Sequence, residues 1–564
     1  MELTRKDFIA GSAALAAGSA LAAGSTTPAL ASEAGTEATL PAGITAEDVA
    51  ASCVELEPVT EFAEEQTFDI VVVGAGCAGV CAVATAIDEG ASVGCLQKEE
   101  AVAANGSSAL GVIVSRSTKA GIKRWMTDWA NKSNRRVNWD LFTYFVEHSE
   151  ETMSWLYQRG KAAGCEFRSV SGNDSVRYDD GELEASFKFS TTGNLDFMTK
   201  LAEKTASEGA TYYWSTPAVQ LVQEPDGTVT GVIGKRSDGS YIKLNAEKGV
   251  ILAAGDYMNN ASLVEKYSAD AKVFWKKQTN RTGDGHILGT LAGGCIAPAN
   301  HPRMIHGMIP GFTVCPTLML DFNGERFCNE DMVMSDFNTV MAYRYHEQDM
   351  NYIYRFFDAA LDEKYADWTP SPYPESNPPS LASIDKSIDE NKTLYYFRAD
   401  TIEELCEQLE LPAGTVKASI ERYNELCAAG SDEDFGVPAD RMHAIDTPPF
   451  YCLRDFPGVA ALTGGVLVDE HYQVIDADRK PIPHLFAAGM QAGNLCGGIN
   501  WHMPGGVSNG HCFNAGRYTV IYALTGDLEP KNPCNFEQIA DDWKDENGAF
   551  PWETNACPTE INVW

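Results

Sequence analysis

Residues 68–97 read FDIVVVGAGCAGVCAVATAIDEGASVGCLQ. The β-branched run 68–73 has the composition of a buried parallel strand. Gly74-Ala75-Gly76-Cys77-Ala78-Gly79 follows at once, and the Ala-rich stretch after it predicts a helix ended by Gly90. Residues 91–96 predict a second strand. A G-x-G-x-x-G string means little alone. Between a strand and a helix, in a unit of about thirty residues, it marks a dinucleotide site. Gly74 permits the tight turn, Gly76 lets the backbone approach a pyrophosphate, and Gly79 lets helix and strand pack closely. The helix start, at Cys77 and Ala78, offers free N–H groups to that anion.

An acidic residue is expected at the end of the second strand, to accept hydrogen bonds from a ribose. Gln97 stands there instead, a neutral acceptor with fewer lone pairs. One such fingerprint occurs in the chain, so reducing equivalents are expected from an external electron donor.

Composition bounds the rest. The chain has 564 residues, 44% hydrophobic and 22% charged, which is globular and long enough for two or three structural units. Asp and Glu number 79 against 43 Lys and Arg, a formal charge of -36. Such a polyanion repels phosphate backbones and anionic headgroups, so no nucleic-acid partner is expected. Past the N-terminus no apolar run reaches the roughly 18 residues of a membrane span, so the chain does not read as an integral membrane protein.

Residues 1–31 place Arg5 and Lys6 before an Ala/Gly stretch and end in Ala29-Leu30-Ala31, a small-x-small cleavage pattern. The string Thr4-Arg5-Lys6-Asp7-Phe8 resembles a twin-arginine export signal with Lys6 in place of the second arginine. An exported, extracytoplasmic protein is expected, with 32–66 as a solvated linker. The fifteen cysteines are scattered, with no CxxC or CxxCH, so neither a zinc ribbon nor an attached haem is expected, and no metal. Cys77 and Cys81 read as core, and Cys534 with Cys557 is the pair to examine for a disulfide.

Further motifs carry a resemblance. Asn105-Gly106-Ser107-Ser108-Ala109-Leu110-Gly111, Gly249-Val250-Ile251-Leu252-Ala253-Ala254-Gly255, Thr282-Gly283-Asp284-Gly285, Gly324-Glu325-Arg326-Phe327-Cys328-Asn329-Glu330 and Ile482-Pro483-His484-Leu485-Phe486-Ala487-Ala488-Gly489 occur in that order. Together with the fingerprint they resemble the flavoprotein subunits of the fumarate reductase/succinate dehydrogenase superfamily, which includes urocanate reductase-like and 3-ketosteroid dehydrogenase-like enzymes. The resemblance covers roughly residues 67–527. It implies an α/β fold: a split Rossmann-like FAD-binding domain (67–302 and 448–527) with an inserted α+β capping domain (303–447), followed by a tail of unknown role (528–564). It implies noncovalent FAD held at Gly74, Gly76, Cys77, Ala78, Gly79, Gln97, Lys98, Asn105, Ser107, Ser108, Gly111, Val219, Ala254, Gly255, Asp284, Gly489, Met490, Gly505, Gly506, Val507 and Ser508. The helix after Gly505-Gly506 would aim its dipole at the flavin.

The family moves a hydride between flavin N5 and a substrate carbon, while a protein group handles the second carbon's proton. His301-Pro302 matches the family's His-Pro, and Glu330 matches its proton-relay Glu. The arginines and histidines that clamp dicarboxylates in fumarate reductases have no counterpart. Met334, Asp362, 458–462 and Gly497-Gly498-Ile499-Asn500-Trp501-His502 stand in those regions. Burying a dicarboxylate without cations is costly, so fumarate and succinate are not expected substrates. Trp501, His502 and Met503 read either as a stacking surface for a flat neutral ligand or as core with a hydrogen-bonded histidine. The candidate catalytic residues are therefore His301, Glu330, Trp501 and His502, with the cap tyrosines Tyr343, Tyr345, Tyr352 and Tyr354 as further donors. Arg326 reads as an ion-pair partner.

The expected function is reduction of an activated C=C bond in a neutral aromatic or polycyclic small molecule. Two alternatives stay open: a ketosteroid-type dehydrogenase introducing unsaturation, and a flavin electron-transfer protein without small-molecule turnover.

Overall fold

The computed structural model describes residues 40–550 apart from 107, 134, 170–175, 178–182, 185, 191–192, 277–278, 307–316, 332–339, 342–343, 345–351, 367–379, 391–392, 394, 456–457, 494, 496–505 and 545. The leader expected at 1–31 and Cys557 lie outside the described residues, which cluster as one unit.

Strand β1 (Glu64–Val73) enters helix α1 (Cys77–Glu89) through Gly74, whose φ of 103° is the left-handed half of backbone space that glycine reaches without strain. A Cβ on Gly79 would sit 1.8 Å from the Gly74 carbonyl oxygen, so the helix returns over its own turn only because that position is bare. Strand β2 (Val93–Leu96) lies parallel to β1. Strand β3 (Ser108–Val112) leads into α2 (Lys119–Lys132) and the 24-residue α3 (Trp139–Ala162). Strand β4 (Thr211–Tyr213) extends the sheet beyond β2 in parallel. Strands β5 (Ala218–Gln223), β6 (Val229–Lys235) and β7 (Tyr241–Leu252) form an antiparallel meander, and β7 returns parallel to β1.

Beyond it come β8 (Trp275–Lys276), α4 (Asp284–Leu291) and β9 (Arg303–His306). A four-stranded antiparallel sheet follows, built from β10 (Leu318–Leu320), β11 (Ile353–Asp358) and β12 (Tyr396–Ala399), with helices α5 (Ile402–Leu409) and α6 (Ala413–Ala429) against it. Strand β13 (Phe450–Asp455) closes it in the order β10-β11-β13-β12. Strand β14 (Gly458–Leu462) pairs β8 and β9 in a small separate sheet. Strands β15 (Gln473–Ile475) and β16 (Pro481–Ala487) return to the main sheet, and α7 (Val507–Thr525) packs beside α1.

The main sheet has eight strands among the described residues, in the order β15-β16-β7-β1-β2-β4 with β6 and β5 branching from β7. Its centre is parallel and fully buried, which is why those strands read as unbroken apolar runs. The four-stranded sheet has its own hydrophobic cluster, including Leu320, Tyr354, Leu405, Ile420, Tyr423 and Cys452. This is the mixed α/β architecture that the motifs imply.

One expectation changes. Residues 40–63 do not run as a solvated linker. Ile44, Val49 and Val54 are buried, and Thr45 and Asp48 form a reciprocal capping box on the short helix Ala46–Ala50. Asp48 is ion-paired with Lys266, and the Glu55 carboxylate accepts from Lys235 and Tyr241. Apolar side chains and paired charges together outweigh a low-complexity composition. The tail also packs as far as Phe550: Phe536 and Trp543 are buried, and the Phe536 amide donates to Glu150.

Candidate functional site

Four strand ends meet at one edge of the sheet. Parallel register pairs Val73 with Leu96 and with Leu252, and Leu252 with Ala487. The segments beginning at Gly74, Gln97, Ala253 and Ala488 therefore leave the sheet side by side. In open α/β sheets this carboxyl edge is where ligands bind.

Two helices start here. Gly76 caps α1 and Gly506 caps α7, and neither helix has a side-chain cap at its N-terminus. Thr118, Asn138, Asn260, Ser380 and Thr401 do cap other helices in the chain. The first N–H groups of α1 and α7 are thus left for an anion. The two starts are close together: the Cys77 sulfur lies 3.8 Å from the Asn509 amide oxygen and 4.0 Å from the Asn105 carbonyl oxygen. Asn194 donates to that same carbonyl, and the Leu110 amide donates to the Gly506 carbonyl at 3.2 Å. A Cβ on Gly489 would lie 3.0 Å from that of Ala78. The fingerprint, the Asn105 loop, the turn at Gly489-Met490 and the start of α7 at Val507-Ser508, distant in sequence, come together at this edge.

Other expected contacts lie elsewhere or are already used. The buried Gln97 side chain accepts from the Ala75 amide (3.4 Å) and donates to the Ala101 carbonyl (3.0 Å), so it ties the glycine loop to its neighbour. The Lys98 ammonium sits 2.9 Å from the Asp284 carboxylate, which also accepts from the Thr282 hydroxyl and the Cys53 amide. Gly111 faces inward, where a Cβ would meet Met153 at 2.6 Å. Val219 is buried on β5 and accepts from the Glu55 amide. Ala254 donates its amide to the Gln491 side chain at 2.9 Å, and Gly255 turns with φ 79°. Ser107, Gly505, Trp501 and His502 lie outside the described residues, as do Met334, Tyr343 and Tyr345, and the side chain of Ser108 is not described.

His301 is 1% exposed. Its Nε2 faces the Ala297 carbonyl at 2.8 Å and must carry the proton, so Nδ1 accepts from the Tyr257 hydroxyl at 2.7 Å. The Tyr267 ring stacks on the imidazole, with centroids 5.0 Å apart. A Cβ on Gly464 would fall 1.9 Å from the ring, so only glycine admits the histidine there. Burial pushes the imidazole down to about 4, and it is neutral near pH 7. In this geometry His301 is a neutral, hydrogen-bonded imidazole rather than a cation.

Glu330 receives two hydrogen bonds from Arg326, at 2.9 and 2.7 Å, and Arg326 also holds Asp432 at 3.0 and 2.8 Å. One cation serves two carboxylates. Asp432 takes three further backbone N–H bonds, and with the Arg326 guanidinium these hold it well below the usual carboxylate range against its partial burial. Burial pushes the Glu330 carboxyl up, against Arg326 and the backbone N–H of Met319. Of the pair, Glu330 is the member able to take a proton.

Strand β14 sits against the cofactor edge. Asp256, which follows Gly255, accepts from the Leu462 amide and from Arg281, and Arg281 also donates to the Ala460 carbonyl at 3.1 Å. Arg303, on the adjacent β9, is ion-paired with Asp270. Asp362 accepts from the Leu381 amide. Asp256, Arg281, Tyr257 and Gln491 lie along this edge and are candidate site residues that the motifs did not identify. Their partners lie far apart in sequence, so no periodic signal marks them.

The FAD binding domain family matches residues 69–508 of this chain. Vinyl phenol reductase of Lactiplantibacillus plantarum is 27% identical over 503 residues, 82% of this chain and 97% of that one. Urocanate reductase of Eggerthella lenta is 25% identical over 458 residues, covering 76% and 71%. Digoxin reductase of the same organism is 24% identical over 489 residues, covering 78% and 84%. Among solved structures, the open conformation of a flavocytochrome c3 fumarate reductase superposes with a TM-score of 0.63 at 21% identity, covering 83% of this chain and 80% of that one.

Proposed function

The chain belongs to the FAD binding domain family, its cofactor is FAD, and from that premise we propose that it is a reductase of activated C=C bonds in neutral aromatic or polycyclic small molecules. The observation that carries the substrate class is β14 and its surroundings. The strand is Gly458-Val459-Ala460-Ala461-Leu462, and both arginines beside it, Arg281 and Arg303, are engaged by Asp256 and Asp270. A dicarboxylate would find each of those cations already neutralised. Relatives named for a vinyl phenol and for digoxin, both neutral ring compounds, fit this reading; others of similar identity are named for urocanate, acrylate and fumarate.

FAD, when bound, supplies the hydride chemistry. The N–H groups at the starts of α1 and α7 hold the anionic parts of the cofactor, and Asp284 is kept in place by Lys98. His301 holds Tyr257 at a set angle beneath β14. Glu330 is the group that takes and returns a proton, its carboxyl pushed up by burial. Trp501 and His502 supply the stacking face and a second titratable group. Residues 67–302 and 448–527 bind FAD, and 303–447 close over it. The protein is exported through its twin-arginine-like leader and takes electrons from an external carrier.

The test is anaerobic reoxidation of the reduced holoprotein, followed optically, against 4-vinylphenol, urocanate, an enone steroid and fumarate. Reoxidation by a neutral ring compound at least about tenfold faster than by fumarate is expected. Fast reoxidation by fumarate sinks the substrate class, and bleaching of oxidised FAD by a saturated ketosteroid would reverse the direction.

A further inference from the structure

Seven of the chain's 43 basic residues fall between positions 116 and 136, where Asp128 is the single acid. In a chain of net charge -36 this is a local reversal of sign. Arg116 is ion-paired with Glu537, and five of the others are exposed on and just past one helix. Helix α2 buries Gly121, Trp125, Trp129 and Ala130 and exposes Lys119, Lys123, Arg124 and Thr127, an outward stripe at helical spacing. Arg135 and Arg136 extend it past the helix end and are exposed. Among the described residues Lys119, Lys123, Arg135 and Arg136 form no salt bridge. Trp139, three residues on, is 45% exposed.

The stripe adjoins the cofactor edge at both ends. It begins just after β3, whose Leu110 amide is bonded to Gly506 at the start of α7. At its other end Arg136 adds, after burial, to the forces that lower the His301 imidazole, so its charge reaches the site. The α2 stripe is about 20 Å long at 1.5 Å per residue, more than a small substrate covers. An anionic membrane would also meet the acidic remainder of the chain and be repelled. A small acidic protein can touch the stripe alone, with arginine and an exposed tryptophan as the anchoring side chains.

We propose that the α2 surface, from Lys119 to Trp139, is the docking site for a small acidic electron-carrier protein that reduces the FAD. This rests on the reductase reading above. Two oxidations of a one-electron carrier deliver two electrons, two protons come from solvent, and the cofactor takes up both.

The test uses the FAD-loaded enzyme and the triple variant K119E/K123E/R135E, which leaves Arg136 and the site untouched. The probes are a reduced acidic iron–sulfur ferredoxin and the methyl viologen radical cation, mixed anaerobically while flavin bleaching is followed. Ferredoxin should reduce the native enzyme at a rate that falls steeply with salt. The variant should lose at least about tenfold of that rate at low ionic strength, with FAD content and methyl viologen turnover unchanged. A ferredoxin rate insensitive to salt and to the charge reversal overturns the proposal. So does binding to phosphatidylserine vesicles that the variant loses while its ferredoxin rate is kept, since the stripe would then serve a membrane. If methyl viologen drives no C=C reduction in the native enzyme, the reductase reading fails instead.

Discussion

The Tyr257 hydroxyl donates to Nδ1 of His301 across 2.7 Å, inside the protein and beneath Gly464. Tyr257 follows β7 and His301 precedes β9, and their meeting is a product of the fold. The pair ties the loop after β7 to the loop before β9. Replacing His301 by Ala should leave FAD bound and cut turnover at least about tenfold, as loss of an orienting group does. Tyr257→Phe should give the same direction with a smaller effect. Steady-state rates beside the flavin absorbance of each variant decide it, and native turnover in His301→Ala removes the residue from the site.

Gly76→Val should abolish FAD binding. A Cβ there already lies 3.2 Å from the Ala103 carbonyl oxygen, and the two further methyls would fill the approach to the α1 N–H groups. The variant should fold, with native circular dichroism, and purify colourless even after incubation with excess FAD. A yellow, stoichiometric holoprotein would mean that the diphosphate lies elsewhere.

Acid should destabilise the protein well above the range where carboxylates titrate. Burial lowers both His301 and His511 to about 4, against about 6.5 in an unfolded chain. The unfolded state therefore binds more protons between these values. The stability from each neutral imidazole is complete above about pH 6.5 and is lost as pH falls toward 4, by roughly 3 kcal/mol per group. Thermal melts between pH 7.5 and 4.5 should show a falling Tm, and His511→Gln should flatten that fall. A Tm independent of pH from 7 to 5 contradicts it.

Arg326→Met should loosen the four-stranded layer. The guanidinium holds Glu330 and Asp432 and lies over the rings of Tyr423 and Phe435, 5.1 and 5.0 Å from their centroids. Removing it leaves two buried carboxylates without their cation, at a cost of about 3–5 kcal/mol. Limited proteolysis should open the chain near 400–440 while the FAD absorbance persists. Resistance equal to that of the native protein would show the triad to be dispensable.

The strand–glycine–helix unit at 68–97 and the parallel centre of the sheet were legible from the residues, because each depends on local chemistry. Apolar runs bury, Gly74 takes a positive φ, and Gly76 and Gly79 leave space where backbones approach. The packed segment at 40–63 was not legible, since what docks it, such as the pairing of Asp48 with Lys266, needs a partner more than two hundred residues away. Gln97 shows the same limit from the other side: the strand end was legible, but tertiary structure gave its amide to Ala75 and Ala101. Sequence alone determined the cofactor and the fold, because short-range sterics and burial suffice for both. Only the tertiary structure decided that His301 stays neutral, that Arg281 and Arg303 are neutralised beside β14, and that Glu330 and Asp432 share one arginine. Burial and charge pairing are properties of groups brought together in space, and no spacing along the chain encodes them.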